Sequence, residues 1–108
     1  MPNVTIFIPV NEMPSDEVFA ELTAQCTQLC TDILLAALEN VHIIYVPALL
    51  GRGHWLFADV RYRLVSFRTE AVMQTFMKSL DEAISSCTGH VARIRCFGYA
   101  AESLYARN

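Results

Sequence analysis

The chain has 108 residues, a length that fits one compact domain with its own hydrophobic core. Hydrophobic residues make up 54% of it and charged residues 18%, a balance that excludes an intrinsically disordered chain. The net charge of −3 argues against a nucleic-acid partner, since such partners are bound through a surplus of Lys and Arg. No apolar run has the length of a membrane span and no basic segment precedes the apolar start, so we expect a cytoplasmic protein without a membrane partner.

The first half of the chain has the pattern strand–helix–strand. Polar and apolar residues alternate over 4–10 (VTIFIPV) and predict a first strand. Ser15 then caps a first helix that has acidic residues in its first turn. Apolar residues recur at helical spacing as far as Ala37, and Asn40 is the predicted stop. The stretch 41–47 (VHIIYVP) predicts a second strand.

The second half repeats this order. After a loop with two glycines, WLFADVRYRLVSF (55–67) predicts a long third strand. Thr69 opens a second helix, which Gly89 ends. HVARIRCF (90–97) predicts a fourth strand, and the tail that follows it is too short to fold alone.

Helices of more than a dozen residues between strands favour parallel, right-handed crossovers. The predicted fold is therefore α+β, with tandem β-α-β units that form a four-stranded sheet and two helices on one face. One domain spans 1–108, with pseudo-symmetric halves of about 1–54 and 55–108. The sheet face toward the helices would carry alternate residues of each strand, namely Val4, Ile6, Ile8, Val41, Ile43, Tyr45, Ala58, Val60, Tyr62, Leu64, Ala92, Ile94 and Cys96.

The opposite face of the sheet, which we call the outer face, combines charged with apolar residues. Its predicted members are Asp59, Arg61, Arg63, Arg93, Arg95 and Phe97, together with Phe7, Ile44 and Val46. Free exposure to solvent is one interpretation, because antiparallel sheets often have a solvated face. Apolar side chains beside the arginines favour the other interpretation, a half-buried surface that another subunit covers. We therefore expect assembly across this face.

The cysteines and histidines do not predict a metal site. The chain has four Cys and three His, with no CxxC pair and no His at ligand spacing from a Cys. Cys26 and Cys30 lie four residues apart within the first helix, so we expect both to face the core as small apolar residues. Nothing in these spacings calls for a metal or another cofactor.

Three short stretches carry a resemblance to a known family. They are Met1-Pro2 leading into a strand, VHIIYVP at the end of the first half, and VSFRTEA between the third strand and the second helix. With the β-α-β-β-α-β order, the chain resembles the tautomerase superfamily. Its members include macrophage migration inhibitory factor, 4-oxalocrotonate tautomerase, 5-carboxymethyl-2-hydroxymuconate isomerase and malonate semialdehyde decarboxylase. The resemblance covers the whole chain as an element order, and the Met-Pro start is its sharpest mark.

The resemblance implies a homotrimeric enzyme without a cofactor. In that family the initiator Met is removed, so Pro2 would become an N-terminal secondary amine that acts as a general base. Such an amine must be unprotonated at the working pH, and both apolar walls and nearby Arg cations lower its pKa. The same arginines would bind the carboxylate of a small keto or enol acid and stabilise the enolate that forms.

Arginine dominates the basic residues, and its planar fork binds carboxylates through paired hydrogen bonds. Arg68 is the first candidate, because it precedes a helix N-terminus and resembles in position an arginine of the decarboxylase branch. Arg61 and Arg63 come next, on the face where the family builds its pocket. Arg52 in the GRGHW loop could close over a ligand, and Tyr99 in the tail could donate a hydrogen bond.

The same element order also describes a non-catalytic module. A ferredoxin-like domain has antiparallel neighbouring strands and serves for small-ligand binding or assembly. Pro2 would then only stiffen the start of an edge strand. Parallel pairing of the first two strands would favour the tautomerase-like interpretation, and antiparallel pairing would favour the module.

Overall fold

A computed structural model describes residues 1–108 as four strands and two long helices. The strands are β1 (Asn3–Pro9), β2 (His42–Ala48), β3 (Leu56–Arg63) and β4 (Ala92–Tyr99). The helices are α1 (Asp16–Asp32) and α2 (Glu70–Thr88). Neither helix combines the length and the apolar character that crossing a lipid bilayer would require.

The sheet has the order β2-β1-β3-β4. β1 pairs with β2 in parallel, β3 pairs with β4 in parallel, and the central β1–β3 pair is antiparallel. The two predicted parallel units are therefore confirmed. The ferredoxin-like alternative is wrong in topology, because it requires antiparallel neighbours. Asn3 lies opposite both His42 and Arg61, so the starts of β1 and β2 share one end of the sheet with the ends of β3 and β4. We call this the Asn3 end, and the other the Pro9 end.

Both helices cover the predicted face of the sheet. The core combines alternate strand residues with residues of the two helices, including Val4, Ile6, Ile8, Ala58, Val60, Leu22, Phe76 and Leu80. Cys26 and Cys30 are buried in this core, as predicted. Leu64 was predicted to face the core, but its side chain is 48% exposed because β3 ends one residue earlier.

The helix starts and one helix end follow the predicted signals. The Ser15 hydroxyl oxygen accepts a hydrogen bond from the Val18 amide at 3.3 Å, and the Thr69 hydroxyl accepts one from the Val72 amide at 3.3 Å. Each bond satisfies an amide that a helix start leaves without a partner. Gly89 ends α2 in the left-handed conformation, with φ of 76°, which glycine adopts without strain.

β4 was predicted over 90–97 but spans Ala92–Tyr99, so Tyr99 belongs to the strand and not to the tail. Two other predicted boundaries were wrong by more. α1 ends at Asp32 instead of reaching Asn40, because Leu35 turns the chain with a φ of 54°. The Ala36 amide then donates to the Cys30 carbonyl at 3.1 Å, which satisfies a carbonyl of the last helical turn. β3 was predicted to extend through residue 67. It ends at Arg63 because a turn follows, closed by the Arg68 amide and the Val65 carbonyl at 3.0 Å.

The outer face has the predicted mixture of charged and apolar side chains. The rings of Phe7 and Phe57 stack at 5.8 Å between β1 and β3, and the Arg61 guanidinium lies 5.2 Å from the centre of the Phe97 ring. Ile44 is 55% exposed and Phe97 is 43% exposed. A single chain therefore leaves aromatic and aliphatic surface of this face open to solvent.

Candidate functional site

An open cleft of about 850 Å³ lies at the Asn3 end of the sheet. Four segments line it: the start of the chain, the connection from α1 to β2, the connection from β3 to α2, and the C-terminal tail. The pairing of β1 with β2 brings the α1–β2 connection beside the start of the chain, and the pairing of β1 with β3 brings the β3–α2 connection there as well. The cleft is therefore built from segments that are far apart in the sequence.

Arg68 is held in this cleft by backbone hydrogen bonds. Its Nε donates to the Leu34 carbonyl at 3.0 Å, and its Nη1 donates to the Arg63 carbonyl at 2.9 Å. The guanidinium also lies 5.4 Å from the centre of the Phe67 ring. Burial lowers the pKa of Arg68, but a guanidinium stays charged throughout the physiological range. A guanidinium has five N–H donors, so the remaining donors of this fixed cation are available to a ligand.

The start of the chain is anchored beside these arginines. The Pro2 ring is fully buried, and its carbonyl accepts a hydrogen bond from the His42 amide at 3.1 Å, which extends the β1–β2 pairing by one bond. Met1 precedes it and lines the cleft. The backbone at Pro2 thus has a fixed position directly after a residue that lines the cleft.

The cleft disfavours a protonated amine at the start of the chain. Burial lowers the pKa of the Met1 amine below its ordinary value, and the charges of Arg68 and Arg63 lower it further, whereas the Cys30 thiol acts in the opposite direction. An ammonium group in partly apolar surroundings beside two guanidinium ions is destabilised relative to the neutral amine. An amine at this place therefore has a larger unprotonated fraction at neutral pH than an exposed one.

Cys30 lies close to this site, in the last two turns of α1. Burial raises the pKa of the Cys30 thiol to about 11, although the Arg68 charge and the N-terminal amine act to lower it. The thiol is therefore protonated at neutral pH and is a poor nucleophile. Its contribution is apolar packing next to the cleft, which is the role that the sequence predicted.

The structure brings three of the predicted site residues together and leaves three apart. Arg63 and Arg68 line the cleft, and Pro2 is joined to Met1, which lines the cleft as well. Arg61 does not join them, because its Nε pairs with Asp59 at 3.1 Å and its Nη1 donates to the Tyr99 hydroxyl at 2.6 Å. These residues contact each other on the outer face, so the predicted grouping of Arg61 and Tyr99 with Arg68 is not found within one chain.

Arg52 lies at the other end of the sheet. It belongs to the connection between β2 and β3, which joins the Ala48 end of one strand to the Leu56 start of the next. Both of these positions are at the Pro9 end. Within one chain, the whole length of β1 therefore separates Arg52 from Pro2.

Sequence reasoning missed several residues that line the cleft. His42 and Asn3 are two of them, and both begin parallel neighbouring strands. The predicted parallel pairing could have placed His42 beside the start of the chain, because the starts of parallel strands meet at one end of a sheet. Arg107 is a third, and no local pattern in the short tail indicates where the tail runs.

Solved structures with the same fold span nearly the whole chain. Macrophage migration inhibitory factor of Toxoplasma gondii superimposes with a TM-score of 0.74 at 16% identity, over 96% of this chain and 95% of its own. The R7 fused 4-OT, an asymmetric trimer, gives a TM-score of 0.74 at 21% identity, over 96% of this chain and 91% of its own. Malonate semialdehyde decarboxylase gives 0.71 at 13% identity, over 97% and 91% of the two chains.

These matches are members of the tautomerase superfamily, and this chain has the fold of that superfamily, as the sequence resemblance implied. No protein-family model matches the sequence, and no curated protein matches it. At identities of 13% to 21% the likeness establishes the fold, and function has to be argued from the site itself.

Proposed function

We propose that the protein is a tautomerase-like isomerase in which Pro2 acts as a general base on a small carboxylated keto or enol acid. The observation that carries this proposal is the meeting of the start of the chain with Arg63 and Arg68 in one cleft, where burial and both charges lower the pKa of the Met1 amine. Removal of Met1 is part of the proposal, because a Pro2 nitrogen acylated by Met1 is an amide and accepts no proton.

The proposed reaction moves one proton and shifts one double bond, and no atom is gained or lost. The unprotonated Pro2 amine takes a proton from the carbon next to the substrate carbonyl, or from the hydroxyl of the enol form. The electron pair left behind is delocalised onto oxygen or carbon as an enolate. The protonated amine then returns the proton to the other end of the enolate. Arg68 and Arg63 bind the carboxylate and stabilise the negative charge that develops.

Arg68 is suited to this role because it is fixed before any substrate arrives. Its two bonds to the Leu34 and Arg63 carbonyls hold the guanidinium plane in place and leave further N–H donors free. A charge that is already oriented stabilises the enolate without reorganising during the reaction. Arg63, which is exposed and has no acidic partner, would supply the second charge.

We further propose that the protein is a homotrimer assembled across the outer face. The exposed Ile44 and Phe97 side chains support an interface there, and two matching fused 4-OT structures are asymmetric trimers. Arg52, Arg61 and Tyr99, which lie outside the cleft of their own chain, would contribute to substrate binding only through a neighbouring copy. Light scattering on the purified protein should give three times the 12.1 kDa chain mass, and a monomer would contradict this assembly.

The catalytic claim is tested by mass analysis followed by an assay. Intact-mass measurement should show a mature chain that lacks Met1. Ketonisation of phenylenolpyruvate is then compared between the wild type, Pro2→Ala and the matched control Pro14→Ala, which lies in the connection before α1. Pro2→Ala replaces the secondary amine by a primary amine without the proline ring that fixes its position. We expect it to lower kcat/KM by about 100-fold, the lower range of the contribution of a positioned base, and Pro14→Ala to leave kcat/KM unchanged. Equal rates for wild type and Pro2→Ala would overturn the proposal.

A further inference from the structure

The C-terminal tail runs along the cleft without being fixed to it. Tyr105 and Arg107 both line the cleft, next to the start of the chain and the β3–α2 connection. The last hydrogen bond of the tail is the one from the Leu104 amide to the Ala101 carbonyl, at 3.3 Å. Beyond it the tail makes no hydrogen bond, and the Tyr105 side chain is 95% exposed. The tail is therefore anchored at Leu104 and free to change conformation after it.

The charges around the cleft are unbalanced. Arg63, Arg68 and Arg107 all line it, whereas Glu39 is its one acidic side chain. The two ion pairs of the protein, Arg61 with Asp59 and His90 with Glu12, involve none of these three arginines. A chain of net charge −3 thus places three guanidinium groups, none of them in an ion pair, and one acidic side chain around a single cleft. Uncompensated guanidinium groups that converge on a cleft favour an anionic ligand.

We infer that Arg107 is a third carboxylate-binding residue of this cleft and determines its preference for acids over neutral analogues. The inference rests on the proposed function and assigns a specificity role to a residue of the tail. Arg68 is tied to two backbone carbonyls, so its position is set before binding. Arg107 has no such ties and can adjust its guanidinium to the carboxylate as the tail closes. Arg68, whose position is fixed, orients the substrate. Arg107, which can move, favours substrates that carry a negative charge.

The test separates binding from turnover. Arg107→Gln is compared with Arg107→Lys and with the control Lys78→Gln, an equal change of charge on the exposed side of α2. Substrates are phenylenolpyruvate and its methyl ester, which lacks the carboxylate charge. We expect Arg107→Gln to raise KM for the acid about tenfold while kcat changes less than twofold. This pattern indicates loss of an interaction that binds the substrate and the transition state equally well. KM for the ester should be unaffected, and Arg107→Lys should recover part of the loss.

The inference is overturned if Arg107→Gln and Lys78→Gln show the same KM and the same preference for acid over ester. Calorimetric binding of phenylpropionate, an unreactive carboxylate, distinguishes this failure from failure of the proposed function. Weaker phenylpropionate binding in Arg107→Gln supports the role of Arg107 even if Pro2→Ala keeps full activity. Unchanged phenylpropionate binding in Arg107→Gln, together with loss of activity in Pro2→Ala, refutes the role of Arg107 alone.

Discussion

The Nε of Arg68 donates a hydrogen bond to the carbonyl oxygen of Leu34 at 3.0 Å, across 34 positions of the sequence. This bond joins the β3–α2 connection to the start of the α1–β2 connection, and both connections line the cleft. The same guanidinium is the charge that we propose binds the substrate carboxylate. Arg68 therefore both joins two segments that line the cleft and is the residue that we propose binds the carboxylate.

Loss of Arg68 should lower stability as well as activity. In Arg68→Met, the Leu34 and Arg63 carbonyls lose their charged donor, and such bonds contribute about 1–3 kcal/mol to the free energy of unfolding. Urea denaturation measures the difference. Arg63→Met is the matched control, because the exposed Arg63 side chain makes no hydrogen bond and its loss should change stability by less than about 0.5 kcal/mol. Equal midpoints for the two variants would contradict this role of Arg68.

The activity should depend on pH through the terminal amine. The unprotonated amine is the active form, so activity rises as pH rises through the pKa of the amine. Burial and the Arg68 and Arg63 charges lower the pKa of the Met1 amine, and we expect them to act in the same direction on a Pro2 amine. The acid limb should then lie at lower pH than the pKa of an exposed N-terminal proline. Arg68→Met removes one cation, so the limb should move to higher pH. Arg68→Lys retains the charge and should keep it near its wild-type position. An acid limb that is the same in all three proteins would show that Arg68 does not set the pKa.

Gly98 should resist substitution, because the space beside it is occupied. A Cβ at this position of β4 would lie 2.5 Å from the Leu64 Cδ2 atom and 2.9 Å from the Tyr62 Cζ atom. The Tyr62 ring is buried, so Gly98→Ala should lower the free energy of unfolding by about 1–3 kcal/mol. Gly51→Ala is the control, since a Cβ there meets nothing within 4 Å. Equal midpoint temperatures of thermal unfolding in the two variants would contradict the packing described here.

The core cysteines should be unreactive in the folded protein. Burial raises the pKa of Cys26 to about 12 and that of Cys30 to about 11, so both are protonated thiols at pH 8. Alkylation with iodoacetamide, mapped by mass spectrometry, should modify the partly exposed Cys87 first. Cys26 and Cys30 should react only after unfolding. Alkylation of Cys30 at the rate of Cys87 would mean that the cleft is open down to α1.

The elements that the sequence predicted correctly are those encoded locally. Ser15 and Thr69 indicate helix starts, because their hydroxyl groups accept a hydrogen bond from an amide of the first turn. Gly89 indicates a helix end, because its amide donates to a carbonyl of the last turn. The end of α1 was missed for a different reason. Leu34 and Leu35 continue an apolar pattern, yet the first is buried and the second is 61% exposed with a positive φ. Tertiary packing sets that conformation, since a non-glycine residue rarely adopts it otherwise.

The candidate site was predicted only in part for a similar reason. Pro2 could be named from a resemblance and Arg68 from a helix start. The structure places Arg68 in the cleft and Pro2 directly after Met1, which lines it. Arg61 was grouped with Arg63 because residues two apart on a strand share a face. The two side chains nonetheless diverge, since Arg61 pairs with Asp59 and Tyr99. Asp59 on the same strand and Tyr99 on β4 hold Arg61 and leave Arg63 without a partner, and the spacing of the two arginines alone does not reveal this.

The most direct test of the central claim is a titration of the terminal nitrogen. Protein labelled with ¹⁵N-proline is followed by NMR across the pH range, with the Pro2 signal assigned by its loss in Pro2→Ala. We predict an amine signal that titrates with a pKa below that of an exposed N-terminal proline and that moves to higher pH in Arg68→Met. A Pro2 nitrogen with an amide shift and no titration would contradict the account. So would an amine whose pKa is the same with and without Arg68.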